Sequence, residues 1–266
     1  MENKRELLQK RLKAQPYFFL DGAMGTMLQQ SGLKLGERPE ALCLSHPEIL
    51  TDIHRQYLES GSDMIYANTF GANSHKLAGT GLKTEEVVRA AVRAAKTAAD
   101  PFGALVALDV GPIGELLEPA GTLTFAEAYA LFREQAIAGE EAGADAAAVE
   151  TMTDLSEVRA AVLAMTFEEN GRTFTGCSAA AMADTLTGLG VDALGINCSL
   201  GPREIFPIAR EIAARTSLPV IVKANAGLPD PRDNTYSVTP ELFAEQMKPY
   251  AELGVTIVGG CCGTTP

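Results

Sequence analysis

A chain of 266 residues, 46% hydrophobic and 21% charged, carries enough apolar material to bury a large core. Its 34 acidic against 22 basic residues leave a net charge of −12, which repels a phosphate backbone or an anionic membrane and argues against both as partners. No apolar run approaches the ~18 residues of a membrane helix, and "MENKRELLQKRLKAQP" lacks the apolar centre of a signal peptide, so the N-terminus reads as a short surface helix on a cytoplasmic protein.

Next along the chain, "YFFLDGAMGT" (17–26) supplies a first strand and a glycine-rich turn. Ser45 with Glu48 makes a capping box for a helix over 46–60, with Pro47 near its first turn. "ESGSDMIYANT" (59–69) follows, then a helical pattern over 84–99 and a strand in "ALVALDVG" (104–111). Thr124 with Glu127 caps a helix over 125–142, which leads into "EAGADAAAVET" (141–151). Helical patterns over 154–164 and 202–215 flank "GLGVDALGINC" (188–198). "LPVIVKANAG" (218–227) is a further strand, Thr239-Pro240-Glu241 opens a helix over 240–253, and "ELGVTIVGGCC" (252–262) closes the series.

Four of these stretches share one pattern: a glycine, a spacer, Asp or Thr, a short apolar run, then polar or small residues. The glycine suits the position just after a helix, where positive φ costs least. The apolar run suits a strand buried on both faces. Alternating helices and strands with no linker between them predict a parallel sheet. A single (β/α)₈ TIM barrel over 1–266 is the first choice and a doubly wound open sheet the second. The distinctive residues then fall at strand C-terminal ends, the catalytic face of a barrel: Asp21, Asn68, Thr69, Asp109, Glu150, Thr151, Asn197, Cys198, Asn225, Cys261 and Cys262.

Five cysteines without a signal peptide argue against a disulfide framework. Cys198 ends one strand and Cys261 with Cys262 end another, and flanking glycines allow the bend that would turn neighbouring thiols to one centre. Three thiolates with one open position match a catalytic zinc site. Inert buried thiols and a redox-active vicinal disulfide at Cys261–Cys262 are the competing readings. His46, His54 and His75 read as surface or core residues.

"DGAMGT", "NTFGAN", "GINCSLGP", "NAG" and "GGCCGTTP", in this order and spacing, resemble the homocysteine S-methyltransferase family, and in particular the homocysteine-binding module of cobalamin-dependent methionine synthases. The resemblance covers nearly the whole chain. It implies a (β/α)₈ barrel that binds Zn²⁺ through Cys198, Cys261 and Cys262 and methylates homocysteine to methionine. It places the substrate's amino and carboxylate ends near Asp21, Gly22, Ala23 and Glu150, with Asn68, Thr69 and Asn197 as further rim candidates. The sequence carries no D-x-H-x-x-G cobalamin signature, so methylcobalamin as donor requires a cobalamin- or folate-binding module in cis or in trans. A sulfonium donor such as S-methylmethionine, or a module that binds without turnover, are the alternatives.

Two departures from the family pattern accompany the resemblance. Strand ends at Asp21, Asn68, Asp109 and Glu150 recur every 41 to 47 residues, yet the 47 residues from Glu150 to Asn197 must hold two units. "DLSEVRAAVLA" (154–164) runs directly into "MTFEENGRTFTG" (165–176), which predicts a shortened fifth unit and a compressed junction at Ala164–Met165. After "GGCCGTTP" the family continues into a last helix, so the chain reads as truncated at Pro266 and lacking that helix.

Overall fold

Among the described residues seven parallel strands form one ribbon in the order β4-β3-β2-β1-β7-β6-β5, and their helices cover its outer side. The computed structural model describes residues 3–34, 36–161, 173, 176–198, 200–230, 232 and 235–266. The strands are β1 Phe18–Phe19, β2 Met64–Tyr66, β3 Leu105–Val110, β4 Ala146–Val149, β5 Leu194–Asn197, β6 Val220–Ala224 and β7 Ile257–Gly260. The helices are α1 Lys4–Ala14, α2 Met24–Gln30, α3 Leu42–Ser45, α4 Pro47–Glu59, α5 Ser74–Leu77, α6 Thr84–Ala99, α7 Phe125–Ala142, α8 Leu155–Ala161, α9 Ala179–Gly188, α10 Pro202–Ala213 and α11 Pro240–Met247. Among the described residues no helix is long and apolar enough to cross a membrane.

Register ties the ribbon together. Phe18 pairs with Ile257, Ile257 with Ile221, and Ile221 with Gly195. Met64 pairs with Leu105, and Ala107 with Ala146. A single parallel bridge between Leu20 and Met64 joins the two halves. Among the described residues no ladder joins β4 to β5. That seam is crossed by side chains instead: Asn197 Oδ1 accepts the Thr151 N–H at 2.9 Å, and Asn197 Nδ2 donates to Thr151 Oγ1 at 2.9 Å. The expected shortened fifth unit, with its junction at Ala164–Met165, lies outside the described residues.

Strand residues alternate between two cores. Phe18, Leu20, Met64, Tyr66, Leu105, Ala107, Ala193 and Ile257 face the interior, where Leu7, Leu8 and Leu12 of α1 pack on them. Ile65, Val106, Leu108, Leu194, Ile196, Val220 and Val222 face outward onto Leu50, Ile53, Val87, Val88, Ala91, Ile205 and Ala209 of the helices. The predicted surface helix α1 is therefore a plug for the strands' N-terminal mouth. Its Lys4 Nζ donates to Ala144 O, and its Arg5 and Gln9 to Asp192 Oδ1, so it grips both sides of the β4–β5 seam. Several interior residues are small, and a cavity of about 240 Å³ remains between α1 and the barrel's polar end.

The helix boundaries follow local chemistry. Thr124 and Glu127 form the expected reciprocal capping box on α7. The Thr239 side chain accepts from the Leu242 N–H at the start of α11, which tightens into a 3₁₀ turn over Lys248–Leu253. The predicted box at Ser45 and Glu48 does not form. Ser45 ends α3, its hydroxyl donates back to Ala41 O, and His46 stands at the start of α4 without a side-chain cap. The glycines of the repeated pattern behave as expected: Gly61, Gly143, Gly190 and Gly254 all have positive φ just after a helix.

Candidate functional site

Inward parity gathers polar residues at the strands' C-terminal ends. Asp109 follows Leu105 and Ala107 on β3, and Lys223 follows Ile221 on β6, each at intervals of two. Asp21 and Glu150 stand just past β1 and β4 and are buried with them. The Tyr66 N–H donates to Asp21 Oδ2 at 2.7 Å. Lys223 Nζ lies 3.3 Å from Glu150 Oε2, 3.7 Å from Asp21 Oδ1 and 3.6 Å from the centre of the Tyr66 ring.

Electrostatics in this cage follow from burial. Burial pushes the Asp21 carboxyl up to about 6, against the opposing pull of the Lys223 charge and the Tyr66 N–H. Burial and then the Glu150 charge raise Asp109 as well. Burial works against the Lys223 ammonium, but Glu150, Tyr66 and Asp21 outweigh it and hold the proton well above the ordinary lysine range. Among the described residues, Asp21 Oδ1, Asp109 Oδ1 and Asn225 Oδ1 are buried acceptors with no hydrogen-bond donor. Such a set can receive hydrogen-bond donors, and Lys223 Nζ at 3.7 Å from Asp21 Oδ1 supplies a positive charge beside it.

Beside the cage the three predicted thiols converge. The Sγ atoms of Cys198, Cys261 and Cys262 lie within 4.8 Å of one another, and those of Cys198 and Cys262 are 3.6 Å apart. All five cysteines are free thiols. Zinc–sulfur bonds of about 2.3 Å at tetrahedral angles hold thiolates about 3.8 Å apart, so the cluster fits a zinc ion. Among the described residues no fourth His, Cys, Asp or Glu joins this group, which leaves one coordination position for a ligand. Cys43, by contrast, is buried elsewhere against Asn68.

The backbone at the end of β6 and just past it clamps the thiols. Cys198 N donates to Lys223 O, Cys261 N to Ala224 O, and Ala226 N to Cys262 O. Cys198 reaches the centre by adopting φ +60°, a left-handed conformation that costs a non-glycine residue about 1–2 kcal/mol. The glycines around Cys261 divide their work differently from expectation. Gly263 supplies the bend at φ +80°. Gly259 and Gly260 permit close approach: a Cβ on Gly259 would stand 2.8 Å from Leu20 Cβ, and one on Gly260 would overlap Thr264.

Thr264 then ties the thiol turn to the first turn. Its hydroxyl donates to Cys261 O at 2.7 Å and accepts from Ala23 N at 3.2 Å. Gly22 lies beneath it, where a Cβ would come 2.5 Å from Thr264 Oγ1. The Tyr57 hydroxyl from α4 donates to both Ala23 O and Thr264 O at 3.3 Å. Tyr236 closes the outer side: its ring fills the space where a Gly263 side chain would go. Burial, then the neighbouring Cys262 and Cys198, push its hydroxyl up to about 12.

Three predicted rim residues are spent on the frame. Asn68 Nδ2 donates to Pro39 O at 2.8 Å. Thr69 Oγ1 donates to Asp109 O and accepts from Asp109 N. Asn197 spans the β4–β5 seam. Sequence reading missed Lys223, Thr264, Tyr57 and Tyr236. Two of them carried a signal: Lys223 is a lysine inside the apolar run "PVIVKANAG", and Thr264 lies in the motif "GGCCGTTP".

A parallel α/β barrel with three converging thiols and a buried carboxylate cage on its C-terminal rim defines a class: a barrel whose rim sets a donor set that fits a soft metal ion beside buried carboxylates. Comparison with known proteins narrows it. Residues 18–266 match the family model described as homocysteine S-methyltransferase, and the chain belongs to that family of methyltransferases. Methionine synthases of Mycobacterium tuberculosis and Mycobacterium leprae are each 33% identical to it over 279 residues. That match takes in 92% of this chain but only 23% of either relative. The aligned stretch exceeds the 266 residues of this chain, so the relatives carry residues within it that this chain lacks. The homocysteine methyltransferase MmuM from Escherichia coli, solved in oxidized and metallated forms, shares the fold with a TM-score of 0.81 at 24% identity, covering 97% of this chain and 96% of that one.

Proposed function

We propose that the chain is a zinc-dependent homocysteine S-methyltransferase module that forms methionine, with Cys198, Cys261 and Cys262 as the metal ligands. The convergence of the three Sγ atoms within 4.8 Å, with one position left open, carries this reading. A bound zinc ion would supply the Lewis acidity that removes the proton from the substrate thiol, whose free pKa lies near 8.5. The protein's own residues set the substrate's pose. Asp21 and Glu150 receive the α-ammonium, and the Gly22–Ala23 turn faces the α-carboxylate. Asn68, Thr69 and Asn197 fix the rim on which these groups stand. The sulfur lone pair then forms the S–CH₃ bond as the bond between methyl and donor breaks, and that electron pair leaves with the donor.

The chain spans 23% of the methionine synthases it matches, which supports a methylcobalamin donor carried on a further cobalamin- or folate-handling module, in cis or in trans. A second reading, a sulfonium donor used directly, needs no such module. Five free thiols suit a reducing cytoplasmic setting. One assay tests the proposal: reduced protein loaded with one equivalent of zinc, homocysteine, and either methylcobalamin or S-methylmethionine, with methionine detected by mass spectrometry. Methionine from methylcobalamin alone supports the first donor, and methionine from the sulfonium without corrinoid supports the second. Homocysteine binding with no methionine from either donor overturns the enzyme reading and leaves a binding module.

A further inference from the structure

Lysine is rarely buried unless it is paired, and Lys223 is buried at the centre of the candidate substrate site with only 5% of its side chain exposed. It rises from near the C-terminal end of β6, in register with Asn197 and Gly259, and points inward. The groups facing it come from five strands around it: Glu150 beyond β4, Asp21 beyond β1, Tyr66 on β2, Asp109 on β3 and Cys261 beyond β7. Its ammonium pairs with Glu150 and Asp21, the two carboxylates assigned to the substrate ammonium, and rests on the Tyr66 ring. Cation–π contact and burial pin it from below.

We infer that Lys223 is a positioning residue that holds Glu150 and Asp21 as a preformed pair and leaves that pair short of one positive charge, so that the site selects a ligand bearing a single ammonium. The inference rests on the substrate reading above. Burial and the Glu150 charge hold Asp109 towards its protonated form, so Glu150 and Asp21 are the two carboxylates that face the one internal ammonium; they retain one uncompensated negative charge, and an α-ammonium supplies the balance. Asp109 Oδ1 and Asn225 Oδ1, which accept no hydrogen bond among the described residues, are buried at the same end of the barrel. A neutral residue at 223 would release Glu150 from its partner at 3.3 Å and leave like charges facing one another across the cage.

The test uses the zinc-loaded chain and two probes, homocysteine and 4-mercaptobutanoate, which keeps the thiol and carboxylate but lacks the amine. Binding of each is measured by calorimetry on the native protein and on Lys223→Met, Lys223→Gln and Lys223→Arg, with zinc content measured alongside. Losing a charge-assisted contact of this kind weakens affinity by about tenfold or more. The expected result is that Lys223→Met binds homocysteine at least tenfold more weakly, binds 4-mercaptobutanoate about as before, and keeps its zinc, while Lys223→Arg retains most of the preference for the amine. Lys223→Gln provides the neutral comparison if the Met variant fails to fold. Equal binding of both probes by the native protein would remove the ammonium site itself, and the inference with it. A native preference for the amine that persists in the Met and Gln variants would overturn the role of Lys223 alone. Tighter homocysteine binding in those variants would also overturn it, since Lys223 would then be a competitor for the carboxylates.

Discussion

His54 offers a measurement whose size can be worked from the structure. It lies on the inner face of α4, fully buried, and neither ring nitrogen has a hydrogen-bond partner among the described residues. Burial alone lowers its pKa from 6.5 to about 4. The folded chain therefore refuses a proton that the unfolded chain accepts. The associated stability is present in full above pH 6.5 and is lost as the pH falls towards 4. At 1.36 kcal/mol per pH unit, the loss reaches about 3 kcal/mol by pH 4. Asp21 and Asp109 have raised pKa values and act in the opposite direction, so the comparison must cancel them. Replacing His54→Leu keeps a similar volume and removes the titration. Urea unfolding of both proteins from pH 7.5 to 4, reduced and with chelator present so that metal does not contribute, gives two stability curves. Their difference should grow by about 3 kcal/mol in favour of the Leu variant as the pH falls. Parallel curves would refute the assignment of His54 as a neutral, unpartnered core residue.

Two further predictions address the turn that carries Cys261 and Cys262. Gly263→Ala places a Cβ at φ +80° and inside the Tyr236 ring, so the turn or the tyrosine must move. Zinc affinity, read by competition with a chromogenic chelator, should fall by at least about tenfold, equivalent to 1.4 kcal/mol, and native affinity would show that the turn is not fixed by this contact. Thr264→Val removes the acceptor for Ala23 N–H and the donor to Cys261 O at nearly constant volume, at a cost of about 1–3 kcal/mol. Zinc content should persist while homocysteine binding weakens, since the ligands stay and the Asp21–Ala23 turn is released. Loss of zinc with homocysteine binding intact would contradict that division.

Much of this architecture is legible in the sequence because its determinants are local. A glycine before each apolar run marks a left-handed residue after a helix, and Gly61, Gly143, Gly190 and Gly254 all take that conformation. Thr124 and Glu127 signal a helix start through bonds within one turn. The thiols are legible for a different reason: a parallel barrel sends every strand end to one rim, so cysteines at two strand ends meet without any contact being read from sequence. What stays hidden depends on partners far along the chain. Ser45 carries a correct capping pattern, yet α3 ends there and claims its hydroxyl. Asn68 and Thr69 look like ligand contacts until Pro39 and Asp109 are found beside them. The leucines of α1 look like the sparse apolar face of a surface helix, and only the curved ribbon of strands gives them an interior face to pack on.

Lys223 links these observations. On sequence grounds a lysine inside a strand buried on both faces is a local conflict, and such conflicts tend to mark sites where function overrides packing. Here the conflict is resolved by residues from five strand ends that surround a single ammonium. The same β6 backbone that carries Lys223 also receives the N–H groups of Cys198 and Cys261 through the carbonyls of residues 223 and 224. One strand thus positions the cation that organises the carboxylates and the main chain that organises the thiols. Register between β5, β6 and β7 therefore sets the distance from the carboxylate cage to the trithiol cluster, and a slip of one residue would turn Lys223 outward and break both at once.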